Sequence, residues 1–322
     1  MDWRSPEGQQ ILSEAREMHS RGEGSWREIG EQFGLTELQV KRAHQRFGAE
    51  KKPPTLSRSE SVVLLISDQH CGKETPSFNA DVLAQRMDTL QRNVLRIVDI
   101  IGRSYDFKAL HVLNLGDHID GDQIYKTHPH HVDRRAAYGR AQVKTLVDIM
   151  APVLQPLAAR FGKLYMHGVP GNHGAVSRWT HEANNWDLMY YDYLGMAMKG
   201  TGVEVKASDD FYAIPEIEGH GFLMYHGRGI RMYQNIPWYG ATQRVMRWAG
   251  SMPRPFLAAC FGHFHTVGNQ WWLGKEIFFN GTPVSDDDFP MEVLGMDGVP
   301  RYWLLGVHEE RGITWQYKID LI

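Results

Sequence analysis

Through the first 48 residues apolar positions recur three and four apart, and no stretch alternates as a strand would. A helix is predicted over Pro6–Ser20, with Ile11, Ala15 and Met18 on one face. Ser25 with Glu28 three places on forms a capping box. The helix it opens turns Trp26, Ile29 and Phe33 inward and stops at Gly34, a residue suited to the left-handed conformation of a helix end. Thr36 with Gln39 makes a second capping box for a helix from Glu37 to Phe47 that buries Val40, Ala43 and Phe47. Residues 49–60 are polar and carry Pro53 and Pro54, which block helix continuation, so they read as a linker.

From Ser61 the texture changes. SVVLLISD is a short apolar run, predicted to be a buried strand. An amphipathic helix is expected near Asn79–Arg103, with Leu83, Met87, Leu90, Val94, Ile97 and Ile101 in one stripe. A strand at ALHVLNLGD, a helix near Arg134–Arg160 and a strand at KLYMHGVPGN follow, which implies βαβ units on a parallel or mixed sheet. Beyond Gly200 the pattern predicts strands alone: VEVKAS, FYAIPEI, GFLMYHG, LAACFGHFH, EIFFNGT, YWLLGVH and ITWQYKI. Two packed sheets with helices outside would bury all of them. The expected organisation is a helical module at 1–48, a linker at 49–60 and an α/β domain at 61–322.

Composition narrows the partners. The 322 residues are 42% hydrophobic, enough for a core, and hold 35 Lys and Arg against 38 Asp and Glu. With a formal charge of −3, any nucleic-acid contact must be local rather than a property of the whole surface. Two cysteines, Cys71 and Cys260, exclude a disulfide scaffold and a four-thiolate zinc site, and point to a reducing, cytoplasmic setting. The segment MDWRSPEGQQ does not read as a signal peptide, and no apolar run approaches the ~18 residues of a membrane span.

The segment SWREIGEQFGLTELQVKRAHQRF resembles helix-turn-helix DNA-binding modules, in which the second helix lies in the major groove. The resemblance implies that Gln39, Lys41, Arg42, Gln45 and Arg46 face phosphates or base edges of DNA. The alternative is a three-helix bundle for protein contacts. Residues 1–55 hold nine basic and nine acidic side chains, so the module is not broadly basic.

Five clusters stand where strands should end: Asp68-Gln-His70, Gly116-Asp117-His118-Ile119-Asp120, Gly171-Asn172-His173, His226-Gly227 and Gly262-His263-Phe264-His265. Each alone is an ordinary turn sequence. Together, at strand ends that converge on one crevice, they would gather carboxylates, imidazoles and a carboxamide whose cheapest common partner is a cation.

In this order the clusters resemble the motifs of the calcineurin-like metallophosphoesterase superfamily, D-x-H, G-D-x-x-D, G-N-H, H and G-H-x-H, over about Ser61 to Thr282. The resemblance implies a two-sheet αββα sandwich with a dinuclear metal centre. One metal would take Asp68, His70 and His265, and the other Asn172, His226 and His263, with Asp117 bridging them. His173 would be the catalytic histidine, steered by Asp120. Two divalent cations activate water for in-line attack on phosphorus. A donor set of nitrogen and oxygen without thiolate suits Mn²⁺ first, with Fe, Zn²⁺ or Co²⁺ as alternatives. The sequence departs from the pattern at Gly174, where many members carry an acidic residue, and at Gly121, where phosphoprotein phosphatases carry arginine.

Substrate clues lie between the motifs. Gly227 to Phe256 holds Arg228, Arg231, Arg244, Arg247 and Arg254 and no acidic residue, interleaved with Tyr233, Trp238, Tyr239 and Trp248. Arginine with aromatics suits a groove for stacked nucleotides, which would put Arg228 and Arg231 at the substrate; the alternative is a structural loop whose arginines pair with acidic residues elsewhere. His118, beside the bridging Asp117, either points at the substrate or has a structural role in its loop. The aromatic run RWTHEANNWDLMYYDYL is expected to pack in the core, and the His128, His130 and His131 run to be a solvated loop. The expected function is a phosphodiesterase acting on DNA, a nuclease. The alternative is a small-molecule phosphoesterase, on cyclic nucleotides or phosphomonoesters, with the helix-turn-helix as a regulatory or assembly module.

Overall fold

The computed structural model of the chain describes every residue except 1, 2, 4, 48–57, 123, 126–131, 134, 135, 178, 180, 235 and 286–298, and at 9, 20 and 44–47 it describes the backbone alone. Most of the expected linker, the His128, His130 and His131 run, Arg134, and the side chains of Gln45, Arg46 and Phe47 therefore lie outside the described residues. Two units result, Met1–Ser57 and Arg58–Ile322.

The first unit holds three helices, α1 (Pro6–Ser20), α2 (Trp26–Gln32) and α3 (Glu37–Phe47). Each begins where a polar side chain satisfies free backbone N–H groups. Ser5 Oγ accepts from Gly8 N at 3.1 Å, and Ser25 and Glu28 form the reciprocal box. Thr36 N donates to Gln39 Oε1 at 2.9 Å, and Gln39 N to Thr36 Oγ1 at 3.3 Å. Gly34, at φ +69°, turns the chain so that Leu35 joins Ala15, Ile29 and Val40 in a small core.

The second unit contains two sheets. The first runs β12-β11-β1-β2-β3-β4, formed by β1 (Ser59–Ile66), β2 (Asp106–Asn114), β3 (Leu164–Gly168), β4 (Val203–Ala207), β11 (Arg301–His308) and β12 (Gly312–Asp320). β1 to β4 are parallel and β11 and β12 antiparallel, so the sheet is mixed. The second runs β5-β7-β8-β10-β9, with β6 added on β7: β5 (Tyr212–Ala213), β6 (Glu216–Ile217), β7 (His220–Tyr225), β8 (Ala258–Phe261), β9 (Gly268–Trp272) and β10 (Lys275–Phe279). Helices α4 (Ala80–Ile101), α5 (Gly139–Phe161) and α6 (Trp186–Ala197) cover the outer face of the first sheet, and α7 (Trp238–Ala249) that of the second. Leu83, Met87, Leu90, Val94 and Val98 of α4 are fully buried in the outer layer, each contributing about 1.5–3 kcal/mol. Between the sheets Val63, Leu65, Leu113, Phe222, Met224 and Leu305 form the middle layer. The order of layers is therefore α, β, β, α.

Four expectations need correction. β1 begins at Ser59, inside the expected linker, because Glu60 is buried: its carboxylate accepts from Trp315 Nε1 at 2.8 Å and Thr314 Oγ1 at 2.9 Å, and it pairs with Arg311. On α4 it is Val98 that is buried, while Ile97 and Ile101 are only half-buried. α5 starts at Gly139 rather than near Arg134. The region beyond Gly200 is not all strand, since α7 buries Ala241 and Val245 at helical spacing, and β9 adds an edge that the sequence did not suggest.

On adjacent strands β2 and β3, His111 and His167 stack with ring planes 5° apart and their Nδ1 and Nε2 atoms at 3.3 Å. Burial pushes both imidazoles down to about 4. The unfolded chain takes up these protons below about 6.5, so the stability tied to neutral rings is complete above that pH and is lost as pH falls from about 6.5 to about 4. Urea unfolding at pH 6.5 and 4.5 should show this loss, at about 1.4 kcal/mol per pH unit for each ring. His167→Gln should flatten the slope; an unchanged slope means the pair titrates as in the open chain.

Candidate metal centre

The polar clusters sit at the C-terminal ends of parallel strands: Asp68 after β1, Asp117 after β2, Asn172 after β3, His226 directly after β7 and His263 after β8. Three ends belong to the first sheet and two to the second, so the cluster forms where both open onto one side. Backbone bonds stitch the loops together, from His70 N to Asp117 O at 3.0 Å and from Cys71 N to His118 O at 2.9 Å. The Asp68 carboxylate accepts His263 N at 3.0 Å, which ties the second sheet's loop to the first. Asp117 Oδ1 accepts His173 N at 2.7 Å.

The approach is close enough to demand glycine. A Cβ on Gly171 would lie 2.1 Å from Asp117 N, and one on Gly116, at φ +88°, 2.5 Å from Gly171 N. Backbone strain gathers here as well. Eight described non-glycine residues have positive φ, and five of them are Asp68, His70, Asp117, His263 and His265. Such conformations cost roughly 1–3 kcal/mol each and persist where the surroundings over-determine them.

Ligand-type atoms of Asp68, His70 and His265 lie within 4.8 Å of one another, as do those of Asp117, His226 and His263. His70 Nε2 is 3.1 Å from His265 Nε2, and His265 Nε2 is 3.4 Å from Asp68 Oδ1. The outward bonds of the rings decide which nitrogens are bare. His226 Nδ1 donates to Leu115 O at 2.7 Å, leaving its Nε2 facing Asp117 Oδ2 at 2.9 Å. His70 Nδ1 bonds Asp120 Oδ1 at 2.9 Å, leaving Nε2 bare toward His265. Asn172 Nδ2 donates to Tyr125 Oη at 2.9 Å, while its buried Oδ1 finds no partner among the described residues.

A lone pair facing a carboxylate, together with an orphaned carbonyl, calls for positive charge. Titration behaviour says the same. Burial alone would lower His226, but the Asp117 carboxylate outweighs it and lifts the ring to about 9. Burial, aided by His173, brings His70 down to about 4, and burial, aided by His226, brings His263 down to about 3. Burial opposes ionisation of Asp117, yet His226 and His173 hold it well below the usual carboxylate range.

His173 stands beside these donors. Its Nδ1 lies 3.2 Å from Asp120 Oδ1, and burial is outweighed by Asp117 and Asp120, so its pKa is raised. Asp120 serves two rings at once, since the same Oδ1 bonds His70, which the sequence did not suggest. His70, Asp120 and His173 also lie within 4.8 Å of one another, a third grouping that overlaps the first.

Other expected site residues fare differently. His118 is fully buried, its Nδ1 2.6 Å from Gln69 Oε1 and its ring beside Tyr190 and Tyr191; it does not face a substrate, because the loop after Asp117 turns it under α6. Arg228 is exposed and lines a cleft of about 610 Å³ together with Asn172 and His226. Arg231 is not among that cleft's lining residues and stacks over Tyr233 at 5.3 Å. On α3, Gln39, Lys41 and Arg42 are exposed, but Gln39 Oε1 is committed to the cap and Lys41 pairs with Glu37 at 2.5 Å. Gln45 and Arg46 are outside the described side chains.

Two residues that build the site were missed. The buried Asp187 carboxylate accepts the backbone N–H groups of Asp117, His118, Ile119 and Gly171 at 2.8–3.0 Å, clamping two site loops to α6. Burial and the Asp117 charge raise it to about 6. It also bears on the departure at Gly174: a Cβ there would lie 2.3 Å from Asn185 Oδ1 and 3.1 Å from Asp187 Cγ, so no side chain fits. Gly121, where arginine was absent, exchanges both its backbone groups with the Gln142 amide.

Tyr125 is the second, because it fixes which end of the Asn172 amide faces the donors. Tyr125→Phe frees that amide to turn, and should weaken Mn²⁺ binding about tenfold in calorimetric titration. Asn172→Asp presents an oxygen either way round, so in that background Tyr125→Phe should change little. Equal losses in both backgrounds would refute the orienting role.

No protein-family model matches the sequence, and no curated protein does. Among solved structures it is similar to an archaeal phosphodiesterase (12% identity, over 80% of this chain and 99% of that one, TM-score 0.37). It is similar also to Vps29 from Entamoeba histolytica complexed with zinc (13%, 81% and 99%, TM-score 0.34) and to YfcE, a phosphoesterase from E. coli (15%, 80% and 100%, TM-score 0.32).

Proposed function

We propose that this chain is a metal-dependent phosphoesterase that cleaves phosphodiesters, with DNA as its substrate. The observation that carries the first part is the arrangement of two donors lining one cleft: Asn172 Oδ1, buried without a partner among the described residues, and His226 Nε2, turned to Asp117 Oδ2, each with its other polar atom tied back into the protein. These residues fit divalent cations: Asp68, His70 and His265 would hold one, Asn172, His226 and His263 a second, and Asp117 would serve both. Nitrogen and oxygen donors without thiolate suit Mn²⁺, Fe, Zn²⁺ or Co²⁺. Such cations would supply Lewis acidity, drawing charge from phosphoryl oxygens and acidifying water.

The chain's own residues supply the rest. Asp120 holds the His173 ring by Nδ1, so Nε2 is the atom that carries a proton toward the leaving oxygen. Asp117 and Asp120 raise the His173 pKa against burial, which favours the protonated ring, and the proton is lost as pH rises. Asp187 keeps the loops of Asp117 and Asn172 from drifting apart, which protects an alignment that a 1 Å error would spoil.

The DNA reading is supported by the exposed Arg42 of α3, by a helical module on the same chain that would raise the local concentration of DNA, and by the acid-free stretch from Gly227 to Phe256. With Mn²⁺ supplied, the protein should hydrolyse bis-p-nitrophenyl phosphate and DNA but turn over p-nitrophenyl phosphate poorly. Arg42→Ala should lower DNA cleavage and spare the small diester. Turnover of the monoester alone would overturn the proposal.

A further inference from the structure

The cleft that opens from Asn172 and His226 has walls that the hydrolytic chemistry does not use. Beyond those two residues it is lined by Tyr125, Phe211 and Tyr225, and by His181, Glu182 and Arg228. Phe211, in the turn between β4 and β5, is 41% exposed; it leans on Tyr212 at 4.9 Å and stands edge-on to Tyr225 at 5.8 Å. Tyr125 lies at the inner end, its ring 4.8 Å from that of His173. Aromatic rings thus stand at both the inner and the outer part of one cleft that starts at the metal donors.

We propose that this cleft is a subsite for one unpaired nucleobase, carried by the nucleoside on the non-leaving side of the scissile diester. The inference rests on the phosphodiesterase reading and deepens it. Base stacking on exposed aromatics is tolerant of sequence, and a ring such as Phe211 offers nothing else to a polar ligand. A cavity of about 610 Å³ matches one nucleotide-sized ligand rather than a strand pair. Bases inside a duplex are stacked on their neighbours and cannot enter it without being unpaired. Arg228 forms no ion pair with a carboxylate among the described residues and is exposed, so it is available for the adjoining phosphate. Glu182, the acidic group in the lining, is an acceptor for a base N–H or a sugar hydroxyl.

The test compares two diesters with the same leaving group. With the Mn²⁺-loaded protein, kcat/KM for thymidine 5′-(p-nitrophenyl phosphate) should exceed that for methyl p-nitrophenyl phosphate about tenfold or more, the scale of one stacked base. Phe211→Ala should bring the ratio toward one. Equal kcat/KM for the two esters in the unaltered protein, or a ratio that survives Phe211→Ala, would overturn the subsite and leave the phosphodiesterase reading intact. Hydrolysis of neither ester would strike that reading instead. The subsite is then read without turnover: in EDTA, saturation-transfer NMR should show the thymine methyl of thymidine 5′-monophosphate in contact with the protein and lose that contact in Phe211→Ala. No contact in the unaltered protein overturns the proposal.

Discussion

Asp117→Asn should strip the protein of metal and activity together. The substitution is nearly isosteric, and an asparagine Oδ1 can still accept the His173 N–H that Asp117 Oδ1 accepts at 2.7 Å. The other oxygen becomes an NH₂ group, which has no lone pair to offer a cation and points its hydrogens at the place where His226 Nε2 stands 2.9 Å away. Losing the negative charge also removes the main pull that lifts His226 to about 9, leaving only Asp68 and the Leu115 carbonyl to work against burial. Elemental analysis after dialysis should fall from about two metal ions per chain to one or fewer, and kcat/KM on bis-p-nitrophenyl phosphate by about 10³-fold or more. Far-UV circular dichroism should be unchanged. Retention of both ions with more than a tenth of the activity would remove Asp117 from the centre of the site.

His173→Ala should do the opposite to metal. The His173 ring is held through Asp120 rather than turned into the two donor groups around Asp68 and Asp117. Metal content should therefore stay near that of the unaltered protein while turnover drops about 10²- to 10⁴-fold, the range for removing a proton donor. The loss should be larger on DNA, whose leaving alkoxide needs a proton, than on a nitrophenyl ester, whose phenolate leaves without one. The pH profile supplies a second check. A raised pKa means that the unaltered protein loses the proton, and rate with it, as pH rises, and the variant should lack that alkaline fall. Loss of metal in His173→Ala would instead make the third grouping, with His70 and Asp120, the true ligand set.

The elements set by local pattern were legible in the sequence. α1, the two capping boxes, the burial of β1 and the stripe of α4 as far as Val94 follow from spacing and end signals within a few residues. So did the polar clusters, because strand ends in such sheets share one edge. The misreadings have tertiary causes. Glu60 looks like linker until Trp315, Thr314 and Arg311 arrive from the far end of the chain to satisfy it. Asp187 sits in an aromatic run expected only to pack in the core; its backbone partners come from two loops, that of Asp117, His118 and Ile119 being far away in sequence. His118 follows a site residue directly, and only the sense of the turn decides whether it faces the opening or the core. In α7, Trp238, Ala241 and Val245 carry a helical spacing that the flanking Pro237 and the internal Gly240 mask in the sequence.

The strand order has a consequence for the chain during its own synthesis. β1 lies between β2 and β11, so one flank of its buried apolar run waits for Arg301–His308. Until the ribosome has added those residues, the nascent domain presents an open hydrophobic edge of the kind that other chains can pair with. The same delay leaves Asp68, which follows β1 directly, without its finished frame, so the candidate metal site should close only after Arg301–His308 have paired, with Val62–Ile66 exposed along one flank until then.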